Sequence, residues 1–179
     1  MEWLNADSYR KTIHVLEPAS REHILEIGFG TGRFAEMLLE RMPDIYMSGI
    51  DPTETMVETA KRRLTKRGFV SRIDFRQGTD ETLPWDNKSF NAVIAIHSFQ
   101  FWKDPEHSLH EINRVLQPNG RIIIVFRDHA KNPPAWLPNP ISRSGREVEL
   151  TKQLLEDNSY SCAEHTAARS SRILRADRK

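Results

Sequence analysis

The chain has 179 residues, of which 38% are hydrophobic and 28% charged, and its formal net charge is +1. That balance suits one folded domain with a proper core, not a disordered segment, and it offers no global field to recruit nucleic acid or an anionic membrane. A single cysteine, Cys162, excludes an intrachain disulfide and fits a reducing, cytoplasmic setting.

The first residues, Met1-Glu2-Trp3-Leu4-Asn5-Ala6-Asp7, lack the basic and apolar regions of a signal peptide. The longest apolar runs, such as Ile122 to Phe126, are far too short to span a bilayer and suit buried strands. Short apolar runs alternate with longer helical patterns, which is the signature of parallel βα units. Residues 2–17 are predicted as a leading helix with Tyr9, Ile13 and Leu16 on one face. A first strand is expected at 23–27. Its helix starts near Thr31, buries Phe34, Leu38 and the stem of Arg41, and stops before Pro43. Tyr46 to Ile50 forms a second strand, followed by a helix from Pro52 to Arg67 that ends at Gly68.

A third strand is expected at Arg72–Arg76 and a fourth at Ala92–Ile96, the latter apolar enough to be buried on both faces. Asp104-Pro105 reads as an N-cap with proline at the first helical position. That helix buries Leu109, Ile112 and Leu116 and ends in the turn Pro118-Asn119-Gly120. Arg121 to Phe126 gives a fifth strand. Residues 128–143 contain Pro133, Pro134, Pro138 and Pro140 and read as an irregular loop. A helix near 145–157 and two weak strands, 161–167 and 171–177, close the chain. The basic residues Arg169, Arg172, Arg175, Arg178 and Lys179 near its end read as a solvated surface.

The most informative stretch is Ile24-Leu25-Glu26-Ile27-Gly28-Phe29-Gly30-Thr31-Gly32-Arg33-Phe34. An apolar strand carries an acid, breaks at glycines spaced two apart, and leads into a helix. Glycine suits such a turn because it tolerates positive φ and lets a ligand lie against bare backbone. The dinucleotide fingerprint G-x-G-x-x-G would need glycine where Arg33 stands. Glu26-x-Gly28-x-Gly30-x-Gly32 instead resembles motif I of the class I S-adenosylmethionine-dependent methyltransferases.

Two later segments extend that resemblance. Gly49-Ile50-Asp51-Pro52-Thr53-Glu54-Thr55-Met56 is similar to the ribose-binding segment of these enzymes, where one carboxylate accepts hydrogen bonds from both ribose hydroxyls. Asp51 also has a plainer reading, as the cap of a helix with Pro52 at its first position and Glu54 completing a capping box. Gln77-Gly78-Thr79-Asp80-Glu81-Thr82-Leu83-Pro84-Trp85, with Asp86-Asn87-Lys88-Ser89-Phe90-Asn91 and Glu111-Ile112-Asn113-Arg114-Val115-Leu116-Gln117-Pro118-Asn119-Gly120, looks like the pattern G-D-A-x-x-L-P-F … D-x-S-F-D … E-x-x-R-V-L-x-P-G-G of small-molecule members. Three landmarks in order, across residues 24–126, are far more specific than any one of them.

The resemblance implies an α/β, Rossmann-like doubly wound sheet, mostly parallel with an antiparallel C-terminal strand and helices on both faces. It implies one domain over residues 1–179: a leading helix (1–20), a cofactor-binding core (21–127), the proline-rich loop, and a C-terminal helix and strands (144–179). The implied cofactor is S-adenosyl-L-methionine, with S-adenosyl-L-homocysteine as product. Its implied binding residues are Glu26, Gly28, Phe29, Gly30, Gly32, Asp51, Pro52, Met56, Thr79, Asp80, Glu81 and His97. Thr79 stands where the family usually has an acid for the adenine amino group. Asp80 either does that work one residue later or is an exposed loop carboxylate. Asn91 replaces the usual aspartate, altering a structural hydrogen bond.

In such a fold the methyl acceptor approaches at the tips of strands four and five. His97, Phe99, Gln100, Phe101 and Trp102 stand there as candidates for the acceptor pocket, although the aromatics also suit ordinary packing. His97 either takes a proton from a hydroxyl or acidic carbon or simply lines the pocket. No metal is required.

Two other patterns are decoys. Asn132-Pro133-Pro134-Ala135-Trp136 resembles the Asn-Pro-Pro-aromatic motif of nucleobase and amide methyltransferases, but it trails strand five and Ala135 intervenes. His107, His110 and Glu111 have metal-like spacing, yet lie opposite Leu109 and Ile112 and read as solvated surface. The expected function is methyl transfer to an O, N or C acceptor on a small molecule. The alternatives are an RNA or protein methyltransferase docked by a partner, and a noncatalytic cofactor-binding scaffold. Near-neutral charge counts against nucleic acid.

Overall fold

The computed structural model describes residues 6–127, 144–167 and 171–179. In chain order the elements are α1 (Ala6–Leu16), β1 (His23–Ile27), α2 (Arg33–Arg41), β2 (Tyr46–Asp51), α3 (Glu54–Lys66) and β3 (Ile73–Gln77). Then come β4 (Phe90–Ile96), a 3-10 turn (Phe99–Phe101), α4 (Pro105–Val115), β5 (Leu116–Arg127), α5 (Gly145–Asp157), β6 (Tyr160–Ala167) and β7 (Ser171–Arg178).

The strands form one sheet in the order β3-β2-β1-β4-β5-β7-β6. β1 to β5 pair in parallel, and β7 pairs antiparallel with both β5 and β6. The expected mostly parallel sheet with an antiparallel C-terminal part is therefore present. Strand order reverses between β1 and β4, the switch point at which open α/β sheets bind ligands beyond the carboxyl ends of their strands.

Side chains alternate across the sheet, so the core divides in two. Ile24, Met47, Ile94, Ile123 and Val125 meet Leu16, Phe34, Leu38 and Leu64 from α1 to α3 on one face. Leu25, Ile50, Val93, Ile122 and Ile124 meet Leu109, Ile112, Val148 and Leu155 from α4 and α5 on the other. Both faces are covered, as the near-continuous apolar runs of β4 and β5 require.

Several local expectations need correction. α3 begins at Glu54 with Thr53 as a cap that makes no side-chain bond, so Asp51, Pro52 and Glu54 build no capping box. β5 begins at Leu116, because Phe90 pairs with Leu116 and Ala92 with Arg121. The three residues Pro118-Asn119-Gly120 are taken up as an irregularity within that strand, not as a separating turn. Arg41 is exposed, its guanidinium reaching back to the Met37 carbonyl at 2.9 Å. α1 buries Ser8, Thr12, Val15 and Leu16, with Tyr9 and Ile13 only packed against the core edge.

The basic C-terminal side chains are structural ties. Arg175 bonds the Val15 carbonyl at 2.9 Å and the Glu17 carboxylate at 2.5 Å, Arg172 pairs with Glu164 at 2.6 Å, and Arg178 reaches the Asn113 carbonyl at 3.4 Å. Arg169 and the segment 128–143, with its Asn132-Pro133-Pro134-Ala135-Trp136 run, lie outside the described residues. No helix among those described is long and apolar enough to cross a membrane.

Candidate active site

A cavity of about 480 Å³ lies beyond the carboxyl ends of the parallel strands. Its walls come from the ends of four of them and the segments that follow: Ile27 and Gly28 at β1, Asp51 to Thr53 with Met56 at β2, Gly78 to Glu81 at β3, and His97 and Ser98 at β4. Phe101, Trp102 and Lys103 close one side. The volume falls within the roughly 300–1,000 Å³ of small-molecule sites.

The glycine loop takes its path from close approaches. Gly28 has φ +73°, and a Cβ there would sit 2.4 Å from the Ser98 Cβ, so the tips of β1 and β4 meet only through a bare backbone. Ser98 Oγ donates to the Ile27 carbonyl at 2.5 Å and fastens the same junction. Gly32, also at φ +73°, is the residue before α2, and its Cβ would stand 2.8 Å from the Ala60 Cβ of α3. Gly30 donates its amide to Asp51 Oδ2 at 2.9 Å.

Asp51 is buried at the end of β2, and its other oxygen, Oδ1, accepts the Thr53 amide at 3.0 Å. The carboxylate is thus oriented by two backbone donors. An ionised carboxylate offers about four lone-pair sites, so two remain for a ligand. Glu26 lies deeper, beneath the loop and fully enclosed, with Oε2 hydrogen-bonded to nothing among the described residues. Burial, reinforced by the Asp51 charge, pushes its carboxyl up to about 8.

On the segment after β3, Thr79 is exposed and Asp80 half-buried. The one hydroxyl proton of Ser108 on α4 is shared between Asp80 Oδ2 and the Asp104 carbonyl, the latter at 2.9 Å. Ser108 was not anticipated from the sequence; its signal was a small polar residue set in the apolar stripe of α4. The Glu81 carbonyl lies 3.1 Å from His107 Nε2.

His97 sits at the tip of β4 with φ +54°. Its amide donates to the Val125 carbonyl at 2.9 Å, and its carbonyl accepts from Gln100 Nε2 at 2.6 Å. Both ring nitrogens are buried and hydrogen-bond to nothing among the described residues. Burial, with the Arg127 charge adding to it, lowers the imidazole to about 4, so it is neutral near pH 7.

Not every candidate faces the cavity. Phe29 is in the core, its ring 4.4 Å from that of Phe75. Phe99 packs on Phe126 and Trp102, with centroids at 5.6 and 4.8 Å. Gln100 braces the backbone of His97. Phe101, by contrast, is 62% exposed at the cavity rim. His107 and His110 are exposed as expected, but Glu111 is not a surface carboxylate. It accepts the Leu83 amide at 3.0 Å and pairs with Arg114 at 2.9 Å, which hold it down to about 2. No cluster of three or more metal-ligating side chains occurs among the described residues. Asn91 keeps a structural role: its Oδ1 accepts the His23 amide at 2.9 Å and its amide nitrogen donates to Gln117 at 2.9 Å.

Residues 25–124 match the family described as a methyltransferase domain. The chain belongs to that family. The methyltransferase domain is 32% identical over 116 residues to an uncharacterized methyltransferase of Bacillus subtilis, covering 65% of this chain and 62% of that protein. It is also 32% identical over 116 residues to a demethylmenaquinone methyltransferase of Thermus thermophilus, covering 65% of this chain and 52% of that one. The methyltransferase domain therefore spans about half to three fifths of the length of these curated relatives. Among solved structures, a SAM-dependent methyltransferase from Aquifex aeolicus superimposes with a TM-score of 0.82 at 19% identity, covering 97% of this chain and 91% of that one. At that identity the likeness speaks for the fold.

Proposed function

We propose that this chain is an S-adenosylmethionine-dependent methyltransferase acting on an O, N or C atom of a small molecule. The observation that carries the reading is that Asp51, hydrogen-bonded to the glycine loop through Gly30, lines one cavity with Gly28 at the sheet's switch point. The demethylmenaquinone methyltransferases among its relatives support a small-molecule acceptor. The free, half-buried Cys162 suits a reducing cytoplasm.

The residues present fit the cofactor. Asp51 would hold the ribose hydroxyls through its two remaining lone-pair sites, and Asp80, braced by Ser108, would accept from the adenine amino group. Glu26, whose buried Oε2 has no partner among the described residues, suits a cationic group lodged above it. Gly28, Gly30 and Gly32 let the backbone approach closely, and Pro52, Met56, Thr79 and Glu81 line the adenosyl side. When bound, S-adenosylmethionine supplies an electrophilic methyl. The chain's part is to orient the acceptor in line with it and exclude water, and such positioning supplies about 7–11 kcal/mol of barrier reduction.

Calorimetric titration with S-adenosylhomocysteine tests the site, and radiolabelled methyl transfer to size-fractionated cell extract tests the reaction. Label in the small-molecule fraction is the expected result. Label in RNA or protein points to a docked macromolecule, and binding without transfer to a scaffold; either displaces the proposal.

A further inference from the structure

The cavity is divided by charge. On the side of β2 and β3 it is lined by three acids, Asp51, Asp80 and Glu81, and beyond β4 by one cation among the described residues, Lys103. Two buried groups nearby feel the same division. Asp51 adds to burial in raising the Glu26 carboxyl, and Arg127, at the end of β5, adds to burial in lowering the His97 imidazole. The potential is therefore negative where ribose and adenine would lie and positive beyond the tips of β4 and β5.

Cofactor binding employs the acids and leaves Lys103 unexplained. Its side chain is exposed and makes no hydrogen bond or ion pair among the described residues. The adjacent acid is not its partner, because Asp104 Oδ1 accepts the His107 amide at 3.1 Å as the cap of α4. On the other side of Lys103, Trp102 packs on Phe99 with centroids 4.8 Å apart, and Phe101 is 62% exposed. An open aromatic face and an ammonium thus share one stretch of cavity rim, as a molecule with an apolar body and an anionic end requires.

Resting on the methyltransferase reading, we propose that Lys103 determines acceptor specificity: it holds the carboxylate of an amphipathic acid whose apolar body lies against Phe101 and Trp102. The carboxylate is the handle, and the methylated atom lies elsewhere on the acceptor. That the anion carries one charge follows from the lining, where one ammonium stands against three carboxylates. Each further negative charge on the acceptor would be repelled by those acids. A phosphate monoester, at about −1.5 to −2 near pH 7, and a nucleic acid backbone are both disfavoured on that ground. Lys103 acts on binding and not on the transfer itself, so its loss falls on KM.

The test uses the full chain with radiolabelled S-adenosylmethionine and the small molecules of a cell extract, split on an anion-exchange resin before the reaction and treated in part with phosphatase. Label is expected from the retained portion, unaffected by phosphatase, in a product that the resin still retains. Lys103→Gln should raise the apparent KM for that portion at least about tenfold, the loss falling on KM and not on kcat. Lys103→Arg, which keeps the charge, should stay within about threefold of the wild-type KM, and both variants should bind S-adenosylhomocysteine within about threefold of wild type. Label only from the unretained portion, activity destroyed by phosphatase, a neutral product, or a Gln variant with the wild-type KM overturns the proposal. So does an S-adenosylhomocysteine affinity that falls together with the rate, which would make Lys103 a contact of the cofactor's own carboxylate. A wild-type chain that binds S-adenosylhomocysteine but labels no small molecule displaces the small-molecule reading instead, and one that fails to bind it removes the methyltransferase reading itself.

Discussion

Asp51 Oδ2 accepts the amide of Gly30 at 2.9 Å, so the acid at the end of β2 and the glycine loop after β1 form one rigid unit before any ligand arrives. Carboxylate hydrogen bonds are worth about 1.5–3 kcal/mol each. Asp51→Ala should therefore weaken S-adenosylmethionine binding at least about tenfold in calorimetry. An unchanged Kd would reduce Asp51 to a brace for the loop.

Glu26 provides a pH signature. Its ordinary value of 4.5 is raised by burial, and then by Asp51, to about 8 in the folded chain. Between those values the unfolded chain releases the proton that the folded chain keeps. Stability should consequently fall as pH rises from about 4.5 to about 8 and level off above, by an amount on the order of a few kcal/mol. Glu26→Gln should flatten the curve, matching the native protein below pH 5 and exceeding it at pH 8. Parallel melting curves across that range would contradict this.

Gly32 packs its backbone against α3. Gly32→Ala places a methyl 2.8 Å from the Ala60 Cβ at φ +73°, adding about 1–2 kcal/mol of backbone strain to about 1–3 kcal/mol of overpacking. Combining it with Ala60→Gly should restore the packing part and leave the backbone part. Denaturant titration of the single and double variants reads the difference directly; a double variant no more stable than Gly32→Ala would rule out the overlap.

Arg114 holds the strap that runs under the cavity segment, bonding the Leu83 and Trp85 carbonyls at 2.8 Å while pairing with Glu111. A lysine cannot reproduce that planar fork. Arg114→Lys should lose about 1–3 kcal/mol in urea denaturation. Because Glu111 is held down to about 2, chiefly by Arg114, the network's contribution is present above pH 4.5 and fades as pH falls toward 2. A variant with unaltered acid unfolding would refute the coupling.

The parallel core was legible because β1, β2 and β4 are short apolar runs and α2 to α4 carry clear helical periodicity. Asp51, His97 and the Gly78–Glu81 segment could be placed at strand tips for the same reason. Element boundaries were less visible where backbone groups find side-chain partners: Asp51 spends its oxygens on Gly30 and Thr53, so α3 starts two residues late. Phe29 was misleading because glycine spacing says nothing of which way an intervening side chain turns, and this one turns onto Phe75. In the 3-10 turn, residues three apart eclipse, which stacks Phe99 with Trp102 and leaves Phe101 at the rim. The long-range ties of Arg114 and Arg175 depend on tertiary neighbours that local patterns do not encode.

β7 follows β6 in sequence, yet it is not at the sheet's margin but lies between β5 and β6. During synthesis β5, a twelve-residue strand with the apolar run Ile122 to Phe126, must wait for Ser171–Arg178 before its outer hydrogen-bonding edge is covered. A chain shortened by those residues would strand an adhesive ribbon on a nascent fold, and self-association rather than simple loss of stability would be its first symptom.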